Sequence, residues 1–484
     1  MHVRTIARFN GLLILFLGLS MALPLVVSVT TNDGGAPALS TALAVTAVFG
    51  LLVFLGARNT KKPDLVLNHR DGVVIVTTGW LLAGFFGSLP YIFSGSIPGF
   101  TDACFESISG FTTTGATILT DIEALPRGIL LWRSQTQWLG GMGIIVLSIA
   151  ILPYLGVGGM QLYKAEIPSP VVDKLKPRIS DTAKALWKIY LIISAIEIIL
   201  LLLGRMNLFE AVCHTFSTMP TGGFSPKNAS IAHYGNAYFD FVITAFMLIA
   251  GINFSLHYKA VKGNLKVFYK DPECKAFLII VAIFIAMTAF DIHGSVYASL
   301  AESFRHAAFQ VGSILTTTGF ITQDYEKWPA FSQHILLVCM FLGGMAGSTG
   351  GGLKIMRVIL LAKHGYKQIF GIIHPHAVTS VKLGGKPVSE EVIRSIWGFF
   401  ILYLGLFVVS TLVMALLGLD FVSAFGSVIA CISNVGPGFG IVGPVENYMG
   451  IPLIGKWVLM FCMLLGRLEI YTLLVLMVPE FWRK

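Results

Sequence analysis

Charge is scarce in this chain of 484 residues: Asp, Glu, Lys and Arg together make up 12%. Soluble domains carry about 25%, so an ordinary water-facing surface is excluded. Cysteine is scarce too. The six are scattered without paired spacing, which indicates neither a disulfide framework nor a zinc site. No GxGxxG follows a strand pattern, and the stretch from Gly347 to Lys354 fails the GxxxxGK[ST] rule for a phosphate cradle. No nucleophile stands in a pattern with a base. The chain therefore carries no cofactor pocket of its own and is not read as an enzyme. What it has in abundance is apolar residues, at 55%, with a mean hydropathy of +0.78. Runs of roughly 20 apolar residues, enough to cross a bilayer, recur near 8–30, 40–57, 73–95, 129–155, 185–204, 237–256, 275–293, 334–363, 393–417 and 452–479. The first follows Arg4 and Arg8 as a signal peptide would. It is longer than a signal core and lacks a small-residue cleavage site, so a retained helix is expected.

The net charge of +9 does not point to nucleic acid, because the basic residues gather after alternate spans. They are Arg58, Lys61, Lys62 and Arg70; Lys164, Lys174, Lys176 and Arg178; Lys259, Lys262, Lys266 and Lys270; and Lys354, Arg357, Lys363, Lys367, Lys382 and Lys386. By the positive-inside rule these segments and both termini face the cytoplasm. The opposite side holds a surplus of acids, among them Asp33, Asp102, Glu106, Asp121, Glu123, Glu210, Glu302, Asp324, Glu326, Asp420 and Glu446. Such a surplus reads either as a cation-attracting vestibule or as the counterpart of the topology signal.

A fourfold internal repeat lies on that acidic side. Gly115, Gly223, Gly319 and Gly436 each follow an alanine by twelve residues: Ala103, Ala211, Ala307 and Ala424. Six before each glycine is a small residue, Ser109, Ser217, Ser313 or Ala430, and two before is Thr113, Thr221, Thr317 or Asn434. Each unit reads as a spanning helix, an apolar segment of about a dozen residues, too short to cross, a polar glycine turn and a second spanning helix. The expected architecture is an all-α polytopic membrane protein. Two N-terminal helices (1–60) precede four helix–re-entrant loop–helix repeats at 72–155, 184–256, 275–363 and 393–479, set in pseudo-fourfold array around one pore.

Four such loops around one axis are how a cation filter is built, since rings of backbone carbonyls can replace the water of a K⁺ ion. Glycine allows the backbone angles that aim those carbonyls, and each re-entrant helix directs its negative end at the site. The candidate filter residues are Thr112, Thr113, Thr114 and Gly115; Thr221, Gly222 and Gly223; Thr317, Thr318 and Gly319; and Asn434, Val435 and Gly436. A Thr-rich packing turn is the competing reading for any one copy.

These segments, Gly-Phe-Thr-Thr-Thr-Gly-Ala-Thr at 110–117, Met-Pro-Thr-Gly-Gly-Phe-Ser at 219–225, Leu-Thr-Thr-Thr-Gly-Phe at 315–320 and Asn-Val-Gly-Pro-Gly-Phe-Gly at 434–440, resemble the Trk/Ktr/HKT superfamily of K⁺ transport proteins along the whole chain. The resemblance implies K⁺ as the transported ion, a homodimer, a bacterial inner-membrane location and a cytosolic ring of nucleotide-binding RCK/KTN subunits that regulates opening. Glycine at all four positions goes with K⁺ in that family, and serine in the first repeat with Na⁺. Asn434 and Val435 depart from the threonine pattern, which implies a less stringent filter.

Six of the ten residues Gly343, Gly344, Met345, Ala346, Gly347, Ser348, Thr349, Gly350, Gly351 and Gly352 are glycine. Each costs a helix about 1 kcal/mol relative to alanine, so the second helix of repeat three is expected to break in mid-membrane. This segment reads as a gate, which the resemblance also implies, or as a close small-residue crossing. Arg467 lies well inside the last span. It reads as a pore-facing charge that holds the gate, or as a structural partner of Glu469. His364, His374 and His376 read as solvated residues of a basic linker; that linker and the basic segment 164–188 are candidate contacts for a cytosolic partner or anionic lipid. A coupled symporter remains the alternative to a gated pore. Its usual mark is inverted repeats, and the titratable groups the spans offer are Glu197 and Glu469.

Overall fold

The computed structural model describes residues 1–57, 68–150, 179–377 and 379–483. Arg58, Lys61, Lys62, Lys164, Lys174, Lys176 and Arg178 lie outside the described residues. The described chain is helical apart from one small hairpin, Lys382–Leu383 with Lys386–Pro387.

The N-terminal pair is α1 (Val3–Ser20), continued after a break at Met21 by α2 (Ala22–Thr31), and α3 (Ala36–Gly56). In lipid, helices associate through close packing of small residues. A Cβ on Gly50 would stand 2.4 Å from the Leu15 nitrogen and one on Gly11 2.7 Å from the Phe54 nitrogen. The Asp33 carboxylate then ties the α2–α3 turn to the rest, accepting from Gly35 N at 2.9 Å and Gly128 N at 2.8 Å. Both chain ends meet at the start of the next helix: His2 N donates to Asp71 at 2.9 Å, and Arg70 to the Arg483 carbonyl at 2.5 Å.

Repeat one is α4 (His69–Phe93), the short re-entrant α5 (Phe100–Phe111) and α6 (Arg127–Ala150). Repeat two is α7 (Ile179–Leu203), re-entrant α8 (Leu208–Thr218) and a second helix split into α9 (Ala237–Ala250) and α10 (Phe254–Val261). Repeat three is α11 (Pro272–Ile292), re-entrant α12 (Leu300–Leu315), α13 (Ala330–Leu342) and α14 (Ile355–Ile373). Repeat four is α15 (Glu390–Leu416), re-entrant α16 (Phe421–Ile432), α17 (Leu453–Arg467) and α18 (Glu469–Leu474). Side-chain caps fix where several of these begin. Asn207 accepts from Glu210 N at 2.8 Å and Asp271 from Cys274 N at 2.8 Å; Asp420 accepts from Val422 and Ser423, which holds its carboxyl below the usual range.

The second helix of each repeat packs on the next repeat's re-entrant helix: α6 on α8, α9 on α12, α13 on α16, and α17 back on α5. That last contact closes the ring. The alanines twelve residues before the glycines, Ala103, Ala211, Ala307 and Ala424, are all fully buried, so the repeated alanine marks where each re-entrant helix meets its ring.

Among the described second helices of the repeats, the sequence predicts one broken helix and the structure has three. Repeat three breaks at residues 343–354 as expected, but α9 and α10 bend by 101° and α17 and the helix after it by 112°. The expected single spans at 237–256 and 452–479 are therefore each two helices. The bends fall at the residues aligned with the glycine-rich run, where Gly251 and Gly466–Arg467–Leu468 interrupt otherwise apolar sequence.

Candidate functional site

Each re-entrant helix ends the same way. The residue two before the glycine is left-handed, with φ of 53° at Thr113, 57° at Thr221, 62° at Thr317 and 56° at Asn434. Its nitrogen reaches back three residues, Thr113 to the Gly110 carbonyl at 2.9 Å and Asn434 to Cys431 at 3.2 Å. The following nitrogen reaches back five: Thr114 to Ser109 at 2.9 Å, and Gly222 to Ser217, Thr318 to Ser313 and Val435 to Ala430 at 2.8 Å each. This is a Schellman cap built with threonine or asparagine where glycine is usual. A β-branched residue in that region is strained by about 1–3 kcal/mol, and three of the four copies carry it. The small residue six before each glycine is the one whose carbonyl accepts this cap bond.

The glycines are also left-handed, at 82°, 79°, 80° and 96° for Gly115, Gly223, Gly319 and Gly436. Left-handed residues thus alternate with Thr114, Gly222, Thr318 and Val435, which are not. Such alternation turns successive peptide groups to the same side. The four turns form a closed ring. A Cβ on Gly115 would stand 2.2 Å from the Gly222 carbonyl oxygen, on Gly223 2.0 Å from that of Thr318, on Gly319 2.1 Å from that of Val435, and on Gly436 2.6 Å from that of Thr114. All four glycines line one outward cavity of about 160 Å³.

Different side chains brace the turns. Gln137 holds turn two from both ends, donating to the Gly222 carbonyl at 2.6 Å and accepting from Phe224 N at 3.0 Å. Arg133, one helical turn earlier on α6, pairs with Glu106 at 2.6 Å and donates to the Ser225 carbonyl at 2.9 Å. Glu106 in turn accepts from Ile118 N at 3.0 Å, so this buried pair links turns one and two. Ser313 donates to the Phe320 carbonyl at 2.6 Å, and the Tyr448 hydroxyl to that of Gly436 at 2.6 Å. Sequence reading passed over Arg133 and Gln137. The available signal was a run of five polar residues, Arg133-Ser134-Gln135-Thr136-Gln137, inside an otherwise membrane-spanning helix.

The outer acids are mostly spent on such work rather than facing an open vestibule. Glu106 is fully buried, Asp102 pairs with Lys456 at 2.6 Å, and Glu326 accepts from Gly440 N at 2.6 Å. The cavity over the four glycines is lined by Glu446 but also by Arg133 and Lys227, so its mouth is not the strongly acidic funnel the composition suggests.

Beneath the ring lies the glycine-rich loop. Its neck is closed by Leu353 N to the Phe341 carbonyl and Ile355 N to that of Gly344, both at 3.1 Å. Its body rests in the break of repeat two, with Met345 N on the Gly251 carbonyl at 2.9 Å and Phe254 N on that of Gly347 at 3.1 Å. Thr349 donates to the Met219 carbonyl at 3.0 Å, and Gly351 N to the Thr317 hydroxyl at 2.7 Å. A Cβ on Gly351 would stand 2.2 Å from the Ser433 carbonyl oxygen of repeat four. Arg467 donates to the Thr349 carbonyl at 2.7 Å and to that of Gly140, in repeat one, at 3.4 Å. Glu469 pairs instead with Arg357, which separates the two charges that stand two residues apart in the sequence. Asn434 donates to the Thr114 hydroxyl at 2.9 Å and the Met463 carbonyl at 3.0 Å, filling in repeat four the place a threonine has elsewhere. The loop touches repeats two, three and four directly and repeat one through Arg467.

A family model described as a cation transport protein, TrkH, matches residues 41–484. The chain is 43% identical over 489 residues to the Trk system potassium uptake protein TrkH of Escherichia coli (strain K12), covering 100% of both. It is 34% identical to the Trk system potassium uptake protein TrkI of Halomonas elongata, over 99% of this chain and 97% of that one. The crystal structure of the potassium transporter TrkH from Vibrio parahaemolyticus superposes with a TM-score of 0.91 at 39% identity, covering 100% of each chain. The protein is a membrane transporter, and it belongs to the TrkH family of cation transport proteins.

Proposed function

We propose that this chain takes up K⁺ through a gated pore whose filter is the ring at Thr112–Gly115, Thr221–Gly223, Thr317–Gly319 and Asn434–Gly436. The observation that carries the reading is the closed ring of alternating left-handed turns around one cavity. Backbone carbonyls of modest field strength, held at fixed spacing, suit a dehydrated K⁺; that the relatives are named potassium uptake proteins supports the same ion. Residues 343–352 are the gate, a plug against the inner side of the ring, and Arg467 holds it in place. The chain works as a homodimer in a bacterial inner membrane with both termini cytoplasmic. A cytosolic nucleotide-binding RCK/KTN partner moves the gate. K⁺ is cargo, and no cofactor takes part.

A second reading, K⁺ symport coupled to protons or Na⁺, is favoured by one observation: Glu197 of α7 is wholly buried in the membrane-spanning region. Rb⁺ flux into liposomes holding the purified chain, with Na⁺ as competitor and no proton gradient, separates the two. Uptake driven by the K⁺ gradient alone, and blocked better by K⁺ than by Na⁺, is the expected result. Uptake that appears only with a proton or Na⁺ gradient replaces the pore with the symporter.

A further inference from the structure

Glu273 sits in the first turn of α11, on a helix otherwise devoted to spanning, and is fully buried. One of its carboxylate oxygens accepts two backbone N–H groups at once: Ala346 at 2.8 Å and Met356 at 3.2 Å. Ala346 belongs to the glycine-rich loop, whereas Met356 is the second residue of α14, the helix that leaves the loop. Met356 N is one of the donors a helix N-terminus leaves without an internal partner. The N-cap residue of α14, Lys354, makes no side-chain cap bond, so the cap comes from a different helix. Ala346 and Met356 are each only 1% exposed, and a buried N–H without an acceptor is costly. No residue of the loop itself plays this part.

We infer that Glu273 is the positioning residue that latches the loop closed, by tying its first turn to the N-terminus of α14. This rests on the reading of residues 343–352 as the gate. The two donors lie on opposite sides of the loop neck. As long as one carboxylate oxygen serves both, α14 cannot shift along its axis without pulling on Ala346. Over its 19 residues α14 is about 28 Å long, and its far end presents Tyr366, Ile369, Ile372 and Ile373 to the outside. A push on that end is therefore delivered to the carboxylate. Moving that oxygen away would leave two buried N–H groups without their acceptor, which is costly. The latch is thus firm at rest, yet it is released by moving a single group.

The test is Rb⁺ flux into liposomes holding the full chain alone, for the parent, Glu273→Gln, Glu273→Ala and a chain lacking residues 347–350. The amide keeps one acceptor oxygen but puts a donor group in place of the other; alanine removes both oxygens. A graded rise, a few-fold for Gln and about tenfold for Ala, supports the latch, because a residue of merely structural value would lower flux through loss of folded protein. Should the alanine variant fail to insert, the glutamine variant decides alone. Parent-level or reduced flux in the folded glutamine variant, beside raised flux in the shortened chain, overturns the latch and leaves the gate standing. Parent-level flux in the shortened chain as well removes the gate, and the latch with it.

Discussion

In the outer half of the four repeats, Thr113, Thr221, Thr317 and Asn434 share one backbone conformation, with φ between 53° and 62°, and one cap bond of 2.8–2.9 Å follows each of them. In the inner half, the four second helices do different things. One runs on to Ala150, one bends by 101°, one is opened by residues 343–354, and one bends by 112°. A bare ion has no orientation, so the shell that coordinates it gains from equivalent ligands on every side. A plug is a single object that must lie in the pore from one direction, and the helices around it have to differ to receive it. On the proposed reading, symmetry is kept where the ion would sit and given up where the gate would move.

The sharpest way to break this contrast uses the same methyl group in both halves. In Gly223→Ala the added carbon would stand 2.0 Å from the Thr318 carbonyl oxygen on a left-handed backbone. Both faults strike rigid main chain, and K⁺ flux should fall about a hundredfold or more, in step with a penalty of ~3 kcal/mol or above. In Gly351→Ala the carbon would stand 2.2 Å from the Ser433 carbonyl oxygen, which the loop can escape by leaving its seat. Partner-free Rb⁺ flux should rise, by about tenfold if undocking is favoured by ~1.4 kcal/mol. A fall in both variants would show that the loop is as rigid as the ring.

A smaller effect on transport is expected behind the ring. Arg133→Met leaves Glu106 buried without its partner, at a cost of about 3–5 kcal/mol, and frees the Ser225 carbonyl. Competition by Na⁺ against Rb⁺ uptake should strengthen a few-fold, and adding Glu106→Gln should restore part of the thermal stability. The smallest effect belongs to Asp33, in the turn between the N-terminal helices. Burial raises its pKa, but hydrogen bonds from Ser28 and the nitrogens of Gly128 and Gly35 outweigh that and leave it lowered. A lowered carboxyl contributes stability above its unfolded pKa, and that contribution is lost as the pH falls through the folded value, below the ordinary range near 3.9. Asp33→Asn should lower the detergent-solubilised melting point by only a few degrees at neutral pH, and the difference from the parent should vanish in strong acid.

Much of this protein was written in its sequence. Span lengths follow from the bilayer thickness, and the fourfold offsets of alanine, small residue, polar residue and glycine located all four turns. Those offsets were legible because each records a local constraint: the tight helix contact at Ala103, the accepting carbonyl at Ser109, and the left-handed residues at Thr113 and Gly115. The break at Gly343 was legible for the same reason, since glycine weakens a helix wherever it lies. The bends after Ala250 and Arg467 were not. A single Gly251 or Gly466 is compatible with a straight helix, and only the loop pressing into that space makes a bend the better structure. Tertiary structure alone also decided that Arg467 reaches Thr349 rather than Glu469, that Glu106 turns inward to Arg133, and that Glu273 joins Ala346 to Met356. Each pairing links residues distant in the chain, and hydrogen-bonding capacity names no partner until packing brings one within 3 Å or so.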